Sequence, residues 1–266
     1  MKNTARRENI KICIIGGGAM GSALARGLLK SGYINPYNIT VAEPLHPEML
    51  ADLKEQGVRI FSSNIEAMEG ADLIIVAVKP WIVKDVIKEI ENAIDPHKME
   101  VSFIVAGINA HDLAGMFTEN LPDNLSITMP NTAMSVGVSM TFIVTVNGKP
   151  DLTLDVFKQV GEVMQIEERQ LQAATALASC GIAYALRYVR AACEGGVELG
   201  FRASEAKEIV SQTLAGAVAL LKKTDAHPET EIDKVTTPGG ITIRGLNAME
   251  RNGFTTAVIE GLKASR

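Results

Sequence analysis

The stretch Gly16-Gly17-Gly18-Ala19-Met20-Gly21 restricts what this chain can fold into more than any other part of it. Residues 10–15, Ile-Lys-Ile-Cys-Ile-Ile, read as a strand leading into the glycines, and residues 20–31 read as a helix stopped by Gly32. The spacing G-x-G-x-x-G is weak evidence alone, but a strand before it and a helix after it supply the context it needs. Each glycine then meets a separate steric demand. Gly16 permits the tight turn, Gly18 lets the backbone approach a pyrophosphate, and Gly21 allows the helix to lie close on the strand. Free N–H groups at the helix start favour phosphate oxygens. A glycine-rich turn without a ligand is the alternative reading.

The rest of the first half alternates short β-rich runs with helical ones. Strands are expected at 39–42, 58–61, 73–78, 101–106 and 125–129, with a helix at 47–56 and a later strand at 140–146 turned by Asn147-Gly148. Strands separated by helices indicate parallel βαβ units. Beyond about residue 165 the pattern becomes helical only, with helices expected at 170–199, 204–223, 241–251 and 255–264. The fold class is therefore α/β, a Rossmann-type doubly wound sheet (residues 1–165) followed by an all-helical domain (residues 166–266). Those helices carry Ala, Gly and Leu on more than one face, more than a solvated monomer needs, which makes the second domain a candidate dimerisation surface.

Composition excludes several classes. A net charge of -5 without a Lys/Arg cluster argues against a nucleic-acid surface. No apolar run approaches a membrane span. Residues 1–9 are polar and lack the apolar core of a signal peptide, so a cytoplasmic location is expected. The three cysteines are odd in number and unpatterned, as in a reducing compartment, and four histidines without ligand spacing give no metal site.

Within the sheet domain, the expected cofactor contacts begin with Gly16, Gly18, Ala19, Met20 and Gly21. Glu43 ends the second strand about 20 residues further on, where an acidic side chain accepts hydrogen bonds from the ribose hydroxyls of NAD and repels the extra phosphate of NADP. That favours NADH over NADPH weakly; the other reading of Glu43 is a solvated loop residue. Ala77, Val78, Lys79 and Pro80 close the next apolar strand, and Ala106 and Gly107 the one after. Carboxyl ends of strands line the ligand crevice of such sheets, so both segments are candidates for the nicotinamide side.

Together with the C-terminal half, these segments resemble pyrroline-5-carboxylate reductases over essentially the whole chain. The matching pieces are Gly16–Gly21, Ala77-Val-Lys-Pro80, Ala106-Gly-Ile108, Met129-Pro-Asn-Thr132 and, most specific, Val235-Thr-Thr-Pro-Gly-Gly-Ile-Thr242 with Ile243-Arg-Gly-Leu246 and Met249-Glu250. His227-Pro228 before this run and Gly253-Phe254 after it match as well. The resemblance implies reduction of 1-pyrroline-5-carboxylate to L-proline with NADH or NADPH, and a homodimer, in some members assembled into larger rings. It also places cofactor contacts on Asn64 and Asn131.

The substrate carries a carboxylate and an imine nitrogen. Thr237, Gly239, Gly240, Ile241 and Thr242 supply a hydroxyl, permissive backbone and a helix start for the anion. On spacing alone the same residues read more readily as a capped structural loop; the resemblance turns the reading toward a substrate site. Thr242 is the candidate catalytic residue, its hydroxyl orienting the ring and relaying a proton from water. It is too weak an acid for conventional general acid catalysis at neutral pH.

The chain departs from the family at Ala178-Ser-Cys-Gly-Ile-Ala183, where Ser-Gly-Ser-Gly-Pro-Ala is usual, and Thr128 stands where a basic residue often precedes Met-Pro-Asn. These changes bear on substrate preference and on turnover. Cys180 reads either as a thiol near the nicotinamide or as a buried small hydrophobe. Two other functions compete. A hydroxy-acid dehydrogenase would place a lysine on the long helix, and residues 172–199 contain none. A nucleotide-sensing protein without turnover has only the altered 178–183 segment in its favour.

Overall fold

The computed structural model describes residues 10–265. The signal-peptide reading of residues 1–9 therefore lies outside the described residues. Eight strands form one sheet: β1 (Ile12–Ile15), β2 (Ile39–Ala42), β3 (Arg59–Phe61), β4 (Leu73–Val76), β5 (Glu100–Phe103), β6 (Leu125–Met129), β7 (Ser139–Asn147) and β8 (Gly161–Gln165). Their order is β3-β2-β1-β4-β5-β6-β7-β8. The first six are parallel, β7 runs antiparallel to β6, and β8 is parallel to β7. Strand order reverses direction between β1 and β4, so the carboxyl ends of these two flank the crevice of a doubly wound sheet.

Residues of β1, β2, β4, β5 and β6 are buried throughout, as expected where helices cover both faces. Alternate side chains feed two cores. Cys13, Ile15, Ile74 and Val76 join helices α3 (Asn64–Met68), α4 (Val83–Ile90) and α5 (Ala110–Ala114) on one face. Ile12, Ile14, Leu73 and Ile75 join α1 (Ala19–Ser31), α2 (Ala51–Glu55) and α6 (Asp151–Phe157) on the other. The α1 helix ends as its sequence demands, with Gly32 at φ 66 and its N–H returned to the Leu29 carbonyl.

Several features differ from the sequence reading. The edge strand β8 was not expected: its burial alternates at an exposed edge, and residues 161–165 carry no continuous apolar run. The helix expected over 170–199 is broken into α7 (Leu171–Ala174), a π-helical turn (Thr175–Cys180) and α8 (Gly181–Glu198). At the wide turn the Ala178 carbonyl accepts from Asn131 Nδ2 at 3.3 Å, and the Ser179 hydroxyl donates to the Pro130 carbonyl at 3.1 Å. Contacts also divide the chain between Ser179 and Cys180, later than residue 165, because Ala174 and Ala178 pack with Met129 and Phe142 in the first unit.

The second unit holds α8, α9 (Ala203–Thr224), α10 (Pro228–Val235), α11 (Ile241–Arg251) and α12 (Phe254–Lys263). The α10 helix was not expected, since its short sequence is polar. Gly196 lets α8 approach α9: a Cβ there would stand 2.9 Å from the Ala206 Cβ. Ala206 is buried, whereas α8, α10, α11 and α12 bury no residue. Among the described residues no helix is long and apolar enough to cross a membrane.

Candidate functional site

A cleft of about 380 Å³ opens at the carboxyl ends of β1, β2, β4 and β5. It is lined by Gly16, Gly18, Ala19, Met20, Glu43, Asn64, Ala77, Val78, Lys79, Pro80 and Ala106, most of the residues expected at the cofactor. Sequence reasoning missed Pro44, Leu45, Ile82 and Val86, which line it together with Ile15, Ala42, Ile104 and Val105 at the strand ends. Nothing local in the sequence marks an apolar residue as cleft lining once the chain has left a strand.

The glycines divide their work as sterics require. Gly16 holds φ 102, and a Cβ there would lie 2.8 Å from the Ala77 carbonyl oxygen. Gly21 lies behind the cleft: its Cβ would stand 1.9 Å from the Gly16 carbonyl oxygen, so only glycine lets α1 close on the loop. Gly18 is exposed at the N-cap of α1, and a Cβ added there would meet no protein atom within 4 Å. No side chain caps α1 and no acidic residue occupies its first turn. Its leading N–H groups, orphaned in any helix, are thus left to an anionic ligand. This donor set, with backbone approach open at Gly18, fits the pyrophosphate of a dinucleotide.

Glu43 follows β2 and is half-buried. Its Oε2 accepts from Gly17 N–H at 2.9 Å, and its Oε1 accepts from Leu45 N–H at 3.1 Å and His46 N–H at 3.2 Å. The Asn64 amide is oriented by donation to Glu89 Oε2 at 2.8 Å. Besides Gly21, two expected cofactor residues do not line the cleft. Gly107 occupies the bend after β5 with φ 81. Asn131 is buried, with Oδ1 accepting from Ala133 N–H at 3.1 Å and Nδ2 spent on Ala178. Among the described residues no cluster of His, Cys, Asp or Glu is placed to hold a metal ion.

In the second unit, Thr237-Pro238-Gly239-Gly240 forms a turn closed by Gly240 N–H to the Thr237 carbonyl at 2.9 Å. Proline at the second position and Gly239 at φ 71 in the third give it type II character. Gly240, at φ -65 and ψ 168, is the N-cap of α11, again without a side-chain cap. Neither threonine therefore serves as a helix cap. Ile241 and Thr242 open the helix exposed, their N–H groups unclaimed by a side chain.

Residues 168–266 match the family model described as pyrroline-5-carboxylate reductase dimerisation, and residues 11–107 match that described as NADP oxidoreductase coenzyme F420-dependent. Pyrroline-5-carboxylate reductase 2 of Dictyostelium discoideum is 33% identical over 100% of this chain and 94% of its own length. The chain belongs to the pyrroline-5-carboxylate reductase family. The reductase of Arabidopsis thaliana is 32% identical over 97% of the chain and 95% of its length. Among solved structures, the Plasmodium falciparum pyrroline carboxylate reductase with NADP bound superposes with a TM-score of 0.85 at 31% identity, covering 97% of this chain and 96% of that one. The family assignment spans both units, and the cleft at the glycine loop lies in the first.

Proposed function

We infer that this chain reduces 1-pyrroline-5-carboxylate to L-proline with NAD(P)H, the last step of proline synthesis. Full-length likeness to named pyrroline-5-carboxylate reductases carries the reading, and the cleft at the glycine loop supports it. When bound, the reduced dinucleotide supplies a hydride to the imine carbon.

The chain's own residues bind and orient. The N-terminus of α1 and the exposed Gly18 hold the pyrophosphate; Asn64 meets the adenosine side, and Ala77–Pro80 with Ala106 flank the nicotinamide side. Glu43 takes a ribose hydroxyl. Residues 43–50 carry Glu43 and Glu48 and no lysine or arginine, so a 2′-phosphate would meet negative charge without a cation to balance it. That favours NADH.

In the second unit, the N–H groups of Ile241 and Thr242 receive the substrate carboxylate, with Thr237 beside them, while the Gly240 N–H stays on the Thr237 carbonyl. The Thr242 hydroxyl hydrogen-bonds near the imine nitrogen, orients the ring and relays a proton from water. Positioning of the two reactants contributes most of the acceleration. The apolar groove of about 530 Å³ lined by Tyr188, Phe254 and Val258 belongs to a homodimer interface, and rings of dimers and a cytoplasmic location complete the reading. Initial rates with pyrroline-5-carboxylate and each cofactor test it. Turnover with a higher kcat/KM for NADH is expected; a preference for NADPH would remove the role given to Glu43 in cofactor choice, and turnover only with hydroxy acids would remove the imine reductase reading.

A further inference from the structure

The spacing G-x-G-x-x-G asks for glycine at 16, 18 and 21, which leaves Gly17 unexplained. Gly17 is buried while Gly18 beside it is exposed. A Cβ at position 17 would lie 2.7 Å from Leu50 Cδ1, 2.9 Å from Glu43 Cβ and 3.1 Å from Glu43 Oε2. Leu50 is 1% exposed and packed in the core beside α1, so it has nowhere to retreat. Glycine is needed here because Leu50 and Glu43 both come so close.

We propose that Glu43 is a positioning residue that clasps the glycine loop, so that it sets affinity for both dinucleotides and not only the choice between them. The proposal rests on the reading of the first unit as a dinucleotide site. Its carboxylate joins two backbone segments: Gly17 N–H on one side, and the Leu45 and His46 N–H groups on the other. The far end of the same segment is tied to α1, where the Arg26 guanidinium donates to Asp52 through Nε at 2.7 Å and Nη2 at 2.9 Å, and reaches the Met49 carbonyl at 3.4 Å. Residues 43–52 are thus fastened to the loop at one end and to the helix that follows the loop at the other. Oε1 takes two donors and Oε2 only one, and a carboxylate oxygen accepts about two. One acceptor site therefore remains on Oε2 for a ribose hydroxyl while the clasp stays closed.

The two roles of Glu43 separate on substitution. If it met only the ribose, Glu43→Ala would weaken NADH and leave NADPH unchanged or improved. As a clasp, its removal leaves the Gly17 N–H without its acceptor and loosens the backbone that carries the pyrophosphate, so both cofactors lose affinity. Hydrogen bonds to a charged group differ from none by roughly a factor of 10 or more in an equilibrium. The test has two measurements. Amide hydrogen exchange at Gly17, followed by NMR in the cofactor-free protein, should be slow in wild type and about 10-fold faster in Glu43→Ala. The Kd of NADH and of NADPH, read by energy transfer from Trp81, the one tryptophan, should both rise by about 10-fold.

Glu43→Gln keeps a carbonyl acceptor without the charge. It should restore part of the Gly17 protection while shifting preference toward NADPH, which a general loss of folding would not do. Unchanged exchange at Gly17 in Glu43→Ala, or a loss confined to NADH, would overturn the clasp. Wild-type protein that binds neither dinucleotide would instead overturn the reading of the site, with the exchange measurement still deciding the clasp.

Discussion

Alanine at Gly18 and alanine at Gly21 should separate binding from folding within one loop. At Gly21 the new Cβ would begin 1.9 Å from the Gly16 carbonyl oxygen and 3.0 Å from Ile14 Cγ2. Reaching a carbon–oxygen contact of about 3.3 Å requires the start of α1 and the loop to part by about 1.4 Å. Overpacking of this kind costs about 1–3 kcal/mol of stability. A shift of about 1 Å in a positioning element can cost on the order of 100-fold in function. Gly18 is the opposite case. It sits at φ -64, which alanine adopts without strain, and its Cβ would meet no protein atom within 4 Å. Gly18→Ala should therefore unfold in urea within about 0.5 kcal/mol of wild type. Its methyl group would still stand where the pyrophosphate approaches, so NADH affinity should fall by about 10-fold or more. Urea melts followed by circular dichroism and NADH titrations followed through Trp81 give both quantities. Wild-type NADH affinity in Gly18→Ala would refute the path of the pyrophosphate over this residue. Wild-type stability in Gly21→Ala would refute the steric account of the loop.

Further outcomes follow from the same geometry. Thr242→Ala, at an exposed position in the first turn of α11, should lower kcat/KM by roughly 10–100-fold with NADH affinity kept; an unchanged kcat/KM removes Thr242 from the mechanism. Burial pushes the Cys13 thiol up to about 12, with a hydrogen bond to Thr40 opposing the shift. Cys13 should resist thiol reagents at pH 8 until the protein is denatured, and a Cys13→Ala variant should lack that late-reacting thiol; rapid native labelling of Cys13 would contradict its burial. The Asp123 carboxylate, 2.8 Å from His97 Nδ1, raises the histidine above its ordinary 6.5. A raised histidine stabilises the fold fully below its unfolded value, and that contribution is lost as pH rises through the folded value. Asp123→Asn should bring the His97 NMR titration back toward 6.5, and an unmoved midpoint would exclude the pair as the cause.

What was legible in the chain follows from burial. Strands β2 and β6 were bounded correctly from sequence because they are buried at every position, which leaves runs without charged residues. The helix at 241–251 was equally clear, with Gly240 before it and Asn252 after. Strand β8 escaped notice because an exposed edge imposes no apolar run, and α10 because a short polar helix buries nothing. The cleft was legible where backbone sterics dictate residue type, at Gly16 and Gly18, with Gly21 behind it. It was not legible where two distant segments meet. Neither Glu43 reaching back to Gly17 nor Asn131 turning away to Ala178 leaves a local trace, since both depend on contacts across the fold. The π-turn at Thr175–Cys180 is hidden for a similar reason: its sequence is that of an ordinary helix, while its hydrogen bonds run to Pro130 and Asn131.

The most direct test of the central claim is isotopic. Purified enzyme would be given pyrroline-5-carboxylate with NADH carrying two deuterium atoms at nicotinamide C4, and the product analysed by mass spectrometry and chiral chromatography. The account predicts L-proline with one deuterium, on the ring carbon formerly double-bonded to nitrogen, formed in step with cofactor oxidation. L-Proline without deuterium, or oxidised cofactor without labelled L-proline, would contradict it.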